Sequence, residues 1–189
     1  AMKWINGVIL IVVIAVNALA NILPINGMNT GEISALIPNL FVPAGVTFSI
    51  WSVIYLGLIG FVLYPFIARK GIQKKLSQLF LVTCFLNVSW IFAWHYLHIG
   101  LSLVIMIGFL ITLIRVYREL DAKSSLEYWL VSVPMALYFA WICVATIANV
   151  TAVLVYYHIY VPYPELMTIL MIGATQVLVW QINSRKANW

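Results

Sequence analysis

Charged residues are scarce in this sequence. Asp, Glu, Lys and Arg make up 8% of its 189 residues, whereas 65% of the residues are hydrophobic. Soluble domains carry about 25% charged residues, and a soluble domain of this size leaves too much surface in water to hide so many apolar side chains. The composition therefore argues against a cytosolic enzyme, a nucleic-acid-binding protein and a disordered tail. It predicts a protein whose solvent is the lipid bilayer.

Cysteine is also rare. The two cysteines, Cys84 and Cys143, lie in the middle of long apolar stretches, and the sequence contains no CxxC spacing. A disulfide framework is therefore not indicated. We expect both side chains to be small apolar core thiols.

The long apolar stretches have no Asp, Glu, Lys or Arg in their middle, although ion-coupled pumps and proton relays usually need such groups there. No Ser–His–Asp set, phosphate-binding loop or carboxylate pair can be assembled, so acid–base hydrolysis has no visible machinery. His95, His98 and His158 fall at the predicted outer face. We expect interfacial histidines there, with a metal or haem-iron role as the alternative.

What the sequence does contain is six stretches long enough to cross about 30 Å of hydrocarbon, which takes about 20 apolar residues. The stretches cover residues 4–23, 45–67, 77–97, 99–117, 128–156 and 165–183. A tight turn near His98 and Gly100 joins the third and fourth, and Pro134 could kink the fifth. The first also resembles a signal peptide, but we favour an uncleaved helix. The sequence predicts one all-α transmembrane domain over residues 1–189.

The basic residues indicate the orientation, because they are retained on the cytoplasmic side of a membrane protein. If the N-terminus is inside and six spans alternate, all ten Lys and Arg residues fall on the inner side. They are Lys3; Arg69, Lys70, Lys74 and Lys75; Arg115, Arg118 and Lys123; Arg185 and Lys186. We therefore expect both termini inside, and we interpret the net charge of +5 as a topology signal, with no nucleic-acid partner.

Three spans carry a stripe of aromatic, amide and small residues at helical spacing. The stripes comprise Thr47, Trp51 and Tyr55; Thr83, Asn87, Trp90 and Trp94; and Tyr138, Trp141, Ala145 and Asn149. Such groups face inward in a bundle, because an amide in lipid needs a partner. Inward aromatics with a few polar groups are typical of a pocket for a flat, mostly apolar ligand. The alternative is that they are helix-packing and interfacial residues.

The connection between the first two spans covers residues 24–44, which is long for a compact bundle. It holds several prolines and glycines but also many apolar residues, which argues for packing over disorder. We expect a lid over the outer mouth of the bundle that includes Pro38, Phe41 and Pro43. The alternative is a surface loop lying in the lipid headgroups.

Three of the spans each contain a distinct motif. The motifs are Pro43, Trp51 and Tyr55; Asn87, Trp90 and Trp94; and Tyr138, Trp141, Ala145, Thr146 and Asn149. In this order and register, and with the long first connection, the chain resembles the translocator protein family, also called TspO or tryptophan-rich sensory proteins. The resemblance covers residues 4–157. It implies a five-helix bundle, so the helix over 165–183 is an additional sixth, and the Ile/Leu-rich first loop marks a divergent branch.

The resemblance also implies a function. Family members bind tetrapyrroles such as protoporphyrin, or sterols, in a pocket under the first loop, and some bacterial members degrade porphyrin in light with tryptophans implicated. The expected ligand-binding residues are Trp51, Tyr55, Asn87, Trp90, Tyr138, Trp141, Ala145 and Asn149. Trp51 and Trp141 could stack on a macrocycle, while Asn87 and Asn149 would hydrogen-bond polar edges or other helices.

On this basis we expect a ligand-binding sensor or receptor embedded in the lipids of a prokaryotic inner membrane, with a homodimer as the assembly that the family suggests. No cofactor is required, although a porphyrin or haem-type ligand fits, and we expect no metal site. The alternative is a small transporter of an amphipathic solute. An internal repeat relating the two halves would favour it, and the sequence shows none.

Overall fold

The structure is a computed structural model, and it describes residues 2–23, 25–38, 47, 49–160 and 162–187. Every regular element within these residues is helical. The α-helices are α1 (Met2–Asn21), α2 (Thr30–Ala35), α3 (Ile50–Ile67), α4 (Lys74–His95), α5 (Ile99–Glu119), α6 (Ser125–Glu127), α7 (Val133–Tyr156) and α8 (Pro164–Ala187).

Five helical stretches in the described part of the chain are long and apolar enough to cross a membrane. They contain α1, α3, α4, α5 and the continuous segment formed by α6 and α7. This confirms an all-α membrane protein. The helix α8 forms where the sixth span was predicted, whereas the count of six spans and the inner location of both termini stay predictions.

The five long helices form a closed ring. α1 packs against α3 and α4, α5 packs against α4 and α7, and α7 completes the ring by packing against α3. α8 lies beside α7. This arrangement brings the striped faces of α3, α4 and α7 toward a common interior.

The side chains are distributed as the bilayer requires. Large apolar residues point outward, among them Ile11, Leu56 and Phe85, which are 68%, 70% and 71% exposed. Polar residues such as Asn17 and Asn87 are buried inside. Lipid tails solvate apolar groups and leave amides unsatisfied, so outward apolar residues and buried, hydrogen-bonded amides are the distribution expected of a protein in a bilayer.

The predicted tight turn joins α4 to α5. The backbone N–H of His98 donates to the carbonyl of Ala93, and Leu97 takes a left-handed conformation with φ 57°. This reversal ends α4 by satisfying carbonyls of its last turn. It places the end of α4 beside the start of α5.

Pro134 shapes the entry to α7. A π-helical turn over Tyr128–Ser132 precedes it, and the N–H of Val133 donates to the carbonyl of Tyr128. Proline has no N–H to donate to the preceding turn, so a wider turn there is the local solution. Opposite Pro134, a Cβ on Gly57 would lie 2.9 Å from the proline Cβ. Gly57 thus lets α3 and α7 approach closely.

Basic residues gather at one end of the ring. The Lys3 ammonium at the start of α1 lies 4.6 Å from the Phe66 ring centroid at the end of α3. Lys75, at the start of α4, forms a 2.7 Å ion pair with Glu119 at the end of α5. These contacts define the basic end of the bundle.

Candidate functional site

The short helix α2 covers the end of the bundle opposite the basic end. Its start is stabilised by a capping box, in which the Asn29 side chain accepts from the Glu32 N–H and the Glu32 carboxylate accepts from the Asn29 N–H. Thr30, Ile33 and Ser34 are buried. The described part of the first connection is therefore packed into the bundle mouth, as a lid would be.

His95 at the end of α4 holds this lid in place. It is fully buried, and its ring nitrogens lie 3.1 Å from the Ile25 carbonyl and 3.0 Å from the Thr30 hydroxyl oxygen. The carbonyl can only accept, so Nδ1 donates to it and Nε2 accepts from Thr30. The Asn26 amide donates to the His95 carbonyl at 3.0 Å. One histidine thus ties the lid to α4 through both of its ring nitrogens.

Four tryptophans enclose a small cavity under the lid. Its volume is about 30 Å³, which leaves room for about one water molecule. The lining comes from α2, α3, α4 and α7. It consists of Ser34, Trp51, Trp90, Trp94, Trp141, Ala145, Ala148 and Asn149.

The indole rings meet at defined angles. Trp90 and Trp94 of α4 are stacked with centroids 5.5 Å apart, and Trp51 meets Trp141 edge to face at 6.1 Å. Trp51 also stacks on Tyr55 at 5.7 Å. Such offset and edge-to-face pairs hold aromatic rings in place without a covalent link. The cavity walls are therefore flat apolar faces in fixed orientations.

Asn149 supplies the polar side of the cavity, and its hydrogen bonds are made within the protein. Its side-chain oxygen accepts from the Trp90 indole N–H at 2.9 Å, and its amide nitrogen donates to the Ser102 hydroxyl at 3.0 Å. The Ser102 hydroxyl in turn donates to the Ile99 carbonyl. Asn149 therefore connects α4, α5 and α7 and fixes the Trp90 ring.

The predicted site residues that do not line the cavity belong to a second polar group. Asn17 of α1 donates to the Asn87 side-chain oxygen at 2.7 Å, and Asn87 donates to the Tyr138 hydroxyl at 3.1 Å. The Tyr55 hydroxyl is buried near Asn87, and the Tyr138 ring packs edge to face on Phe109 at 5.4 Å. These residues join α1, α3, α4 and α7.

The structure thus separates the predicted ligand-binding residues into two groups. Those that line the tryptophan cavity are Trp51, Trp90, Trp141, Ala145 and Asn149. Tyr55, Asn87 and Tyr138 belong to the second polar group.

The predicted lid residues are distributed differently. Pro38 lines another cavity, of about 780 Å³, between α7 and α8, and Phe41 and Pro43 lie outside the described residues.

Sequence reasoning did not identify Ser34, Ala148 or Asn17 as site residues. Ser34 and Ala148 are small residues without a motif, and nothing in the pattern distinguishes them. Asn17 carried a usable signal, because an amide inside an apolar span needs a partner. Within the described residues no group of three His, Cys, Asp or Glu side chains could hold a metal ion, and His98 and His158 are exposed.

The indole faces around the cavity could stack on an apolar ring, but in this conformation the cavity has room for only about one water molecule. A family model described as TSPO-like protein matches residues 3–189 of the chain, which include α8 as well as the three motifs. No curated protein and no solved structure matches the chain. The family model confirms the resemblance that the motifs predicted.

Proposed function

Because the chain belongs to the TSPO-like protein family, we propose that this integral membrane protein is a ligand-binding sensor or receptor for a flat apolar molecule. A tetrapyrrole such as a porphyrin, or a sterol-like molecule, has this chemistry, and the resemblance to the family implies both. The observation that carries the proposal is the convergence of four indole rings from three helices on one cavity under a tied-down lid.

The lining supports a planar ligand. Trp51 and Trp141 meet at nearly a right angle, 85° between ring planes, so a ring stacked on one indole meets the edge of the other. Ala145 and Ala148 lie on the same side of α7 and leave space against its backbone. Indole faces also bring large contact areas at low entropic cost, because their rings are already fixed.

The cavity volume requires that the lid moves for a ligand to enter. Pockets for drug-sized ligands measure about 300–1,000 Å³, whereas this cavity measures about 30 Å³. The helices around the cavity are held by side-chain hydrogen bonds and close packing, but α2 is six residues long. The described conformation is therefore a closed state, and the ligand-bound state has α2 displaced.

A lid with two positions gives the protein a means of signalling. A ligand that occupies the cavity only when α2 is displaced shifts the equilibrium by its differential affinity for the open state. The exposed side of the lid, which includes Glu32 and Leu36, would then move relative to the bundle. We propose that this event takes place at the outer face of a prokaryotic inner membrane; the distribution of basic residues predicts only which face is the outer one.

Porphyrin titration of the detergent-extracted protein tests the proposal, with porphyrin fluorescence anisotropy as the readout. We expect Trp51→Phe and Trp141→Phe each to weaken binding about two- to thirteen-fold, which corresponds to ~0.5–1.5 kcal/mol of ring contact. Trp129→Phe is the matched control, since Trp129 is 63% exposed and lies outside the cavity. Equal affinity in all three variants would contradict the assignment of the cavity.

A sterol competitor separates the two ligand classes. If the sterol displaces porphyrin from the wild-type protein but not from Trp51→Phe and Trp141→Phe, the two ligands share one pocket. Displacement that is unaffected by these substitutions places the sterol elsewhere.

A further inference from the structure

A third cavity opens at the basic end of the bundle, away from the tryptophans. Its volume is about 650 Å³. It lies between the start of α1, the end of α3 and the start of α4, with Pro65 and Phe66 among its apolar lining residues. Since these are the ends of membrane-spanning helices, the cavity lies at the depth of the lipid headgroups.

Four cations surround this cavity. They come from α1, the α3–α4 connection and α4, and they are Lys3, Arg69, Lys70 and Lys74. None of the described lining residues is acidic. The neighbouring Lys75 differs, because it pairs with Glu119 and does not line the cavity. The cavity thus concentrates positive charge that no carboxylate in its lining neutralises, and such a site attracts anions.

One residue that lines the cavity has an incompletely satisfied amide. Asn6 is 2% exposed, and its side-chain nitrogen donates to the Ser77 hydroxyl at 2.9 Å. Its side-chain oxygen is buried and accepts no hydrogen bond from any described residue. A buried acceptor of this kind costs free energy until a donor reaches it. A sulfate or chloride ion has no donor to offer, whereas an alcohol hydroxyl group has one.

The backbone at the rim is also unusual. Arg69 follows the end of α3 with φ 52°, a left-handed conformation that glycine usually occupies at a helix end. Arg69 lines the cavity in a backbone conformation that a glycine would adopt with less strain. The charge at this position is thus kept at a conformational cost.

We propose that this cavity binds the headgroup of an anionic phospholipid that carries a hydroxyl group, with phosphatidylglycerol as its chemical type. The phosphodiester lies among Lys3, Arg69 and Lys74, and a headgroup hydroxyl donates to the Asn6 side-chain oxygen. A soluble hydroxylated phosphate ester offers the same groups. The apolar lining and the position at the membrane surface favour the lipid, whose acyl chains continue along the outside of α1 and α3.

Native mass spectrometry of the detergent-solubilised protein tests the proposal by lipid titration. We expect phosphatidylglycerol to bind at least five-fold more tightly than neutral phosphatidylcholine. Lys74→Gln should weaken phosphatidylglycerol binding about five-fold, the usual effect of one cation at a lipid surface. Lys75→Gln, the matched control, should change it less than two-fold. Equal losses of affinity in the two variants would mean that any surface cation has the same effect, and this result would contradict a specific site.

Phosphatidylethanol tests the role of the buried amide, because it carries the same single negative charge but no headgroup hydroxyl. The wild-type protein should prefer phosphatidylglycerol over phosphatidylethanol, and Asn6→Ala should lose that preference. Persistence of the preference in Asn6→Ala would contradict the proposed hydrogen bond. Arg69→Gly should weaken both anionic lipids without lowering the melting temperature, so that its loss of binding is not a loss of fold.

Soluble glycerol phosphate distinguishes the two sources of the ligand. If the lipid is the ligand, millimolar glycerol phosphate leaves the affinity for phosphatidylglycerol within two-fold of its value without competitor. Full competition at that concentration would show that the cavity takes a soluble ester, and it would overturn the lipid assignment.

Discussion

Replacement of His95 by alanine tests whether this histidine holds the lid closed. The wild-type ring makes two hydrogen bonds to the lid, with the Ile25 carbonyl and the Thr30 hydroxyl. A buried neutral hydrogen bond contributes about 1 kcal/mol net, so the variant loses ~2 kcal/mol of closing free energy. The two lid groups become unpaired when closed but reach water when open. The population of the open state should therefore rise about 30-fold.

Hydrogen–deuterium exchange measures this opening directly. The amides of Ile33 and Leu36 donate within the lid. They exchange when the lid detaches, because a helix of six residues is unstable on its own in water. In His95→Ala their exchange should accelerate by about 30-fold, while amides of α5 around Met106, which is fully buried, keep their wild-type rates. Thr30→Val removes one of the two hydrogen bonds and should accelerate lid exchange about five-fold.

His98→Ala provides the control, because His98 is exposed and three residues away from His95. Its lid amides should exchange at the wild-type rate. Unchanged lid exchange in His95→Ala would refute the reasoning. So would an equal acceleration in α5, since that result means that the substitution destabilises the whole bundle.

Two further substitutions test the packing of the helices. Gly57→Ala should destabilise the protein by ~1–3 kcal/mol in thermal unfolding, because the new Cβ meets the rigid ring of Pro134 at 2.9 Å. Gly60→Ala should cost less than about 1 kcal/mol, because its nearest contact is the flexible side-chain end of Leu130 at 3.3 Å. Equal losses would contradict a rigid close contact between α3 and α7 at Gly57. A double-mutant cycle of Asn17→Leu and Asn87→Leu should give a coupling of ~0.6–1.7 kcal/mol, and additive effects would mean that their 2.7 Å hydrogen bond contributes nothing to stability.

The helices were predictable because their signal is local. A span must be apolar over about 20 residues, so the predicted stretches 99–117 and 128–156 differ from the observed Ile99–Glu119 and Ser125–Tyr156 only at their ends. The second predicted span began at residue 45, whereas α3 begins at Ile50. Residues 45, 46 and 48 of the predicted span lie outside the described residues.

The site was predictable only in part. The inward faces of α3, α4 and α7 follow from side-chain spacing, and Trp51, Trp90 and Trp141 do meet in one cavity. Spacing could not show that Asn87 would pair with Asn17 of α1 and lie apart from this cavity. It also could not identify His95 as the residue that ties down the lid.

The sequence by itself determined the solvent of this protein, the class of its fold and the faces that its helices turn inward. These properties depend on composition and on the helical period, both of which can be counted along the chain. Only the tertiary structure decided that α2 packs against α4, that the tryptophan cavity measures about 30 Å³, and that Asn6 has an unsatisfied acceptor and lines a basic cavity. Each of these depends on distances between residues far apart in the chain, and those distances are set by how the helices pack.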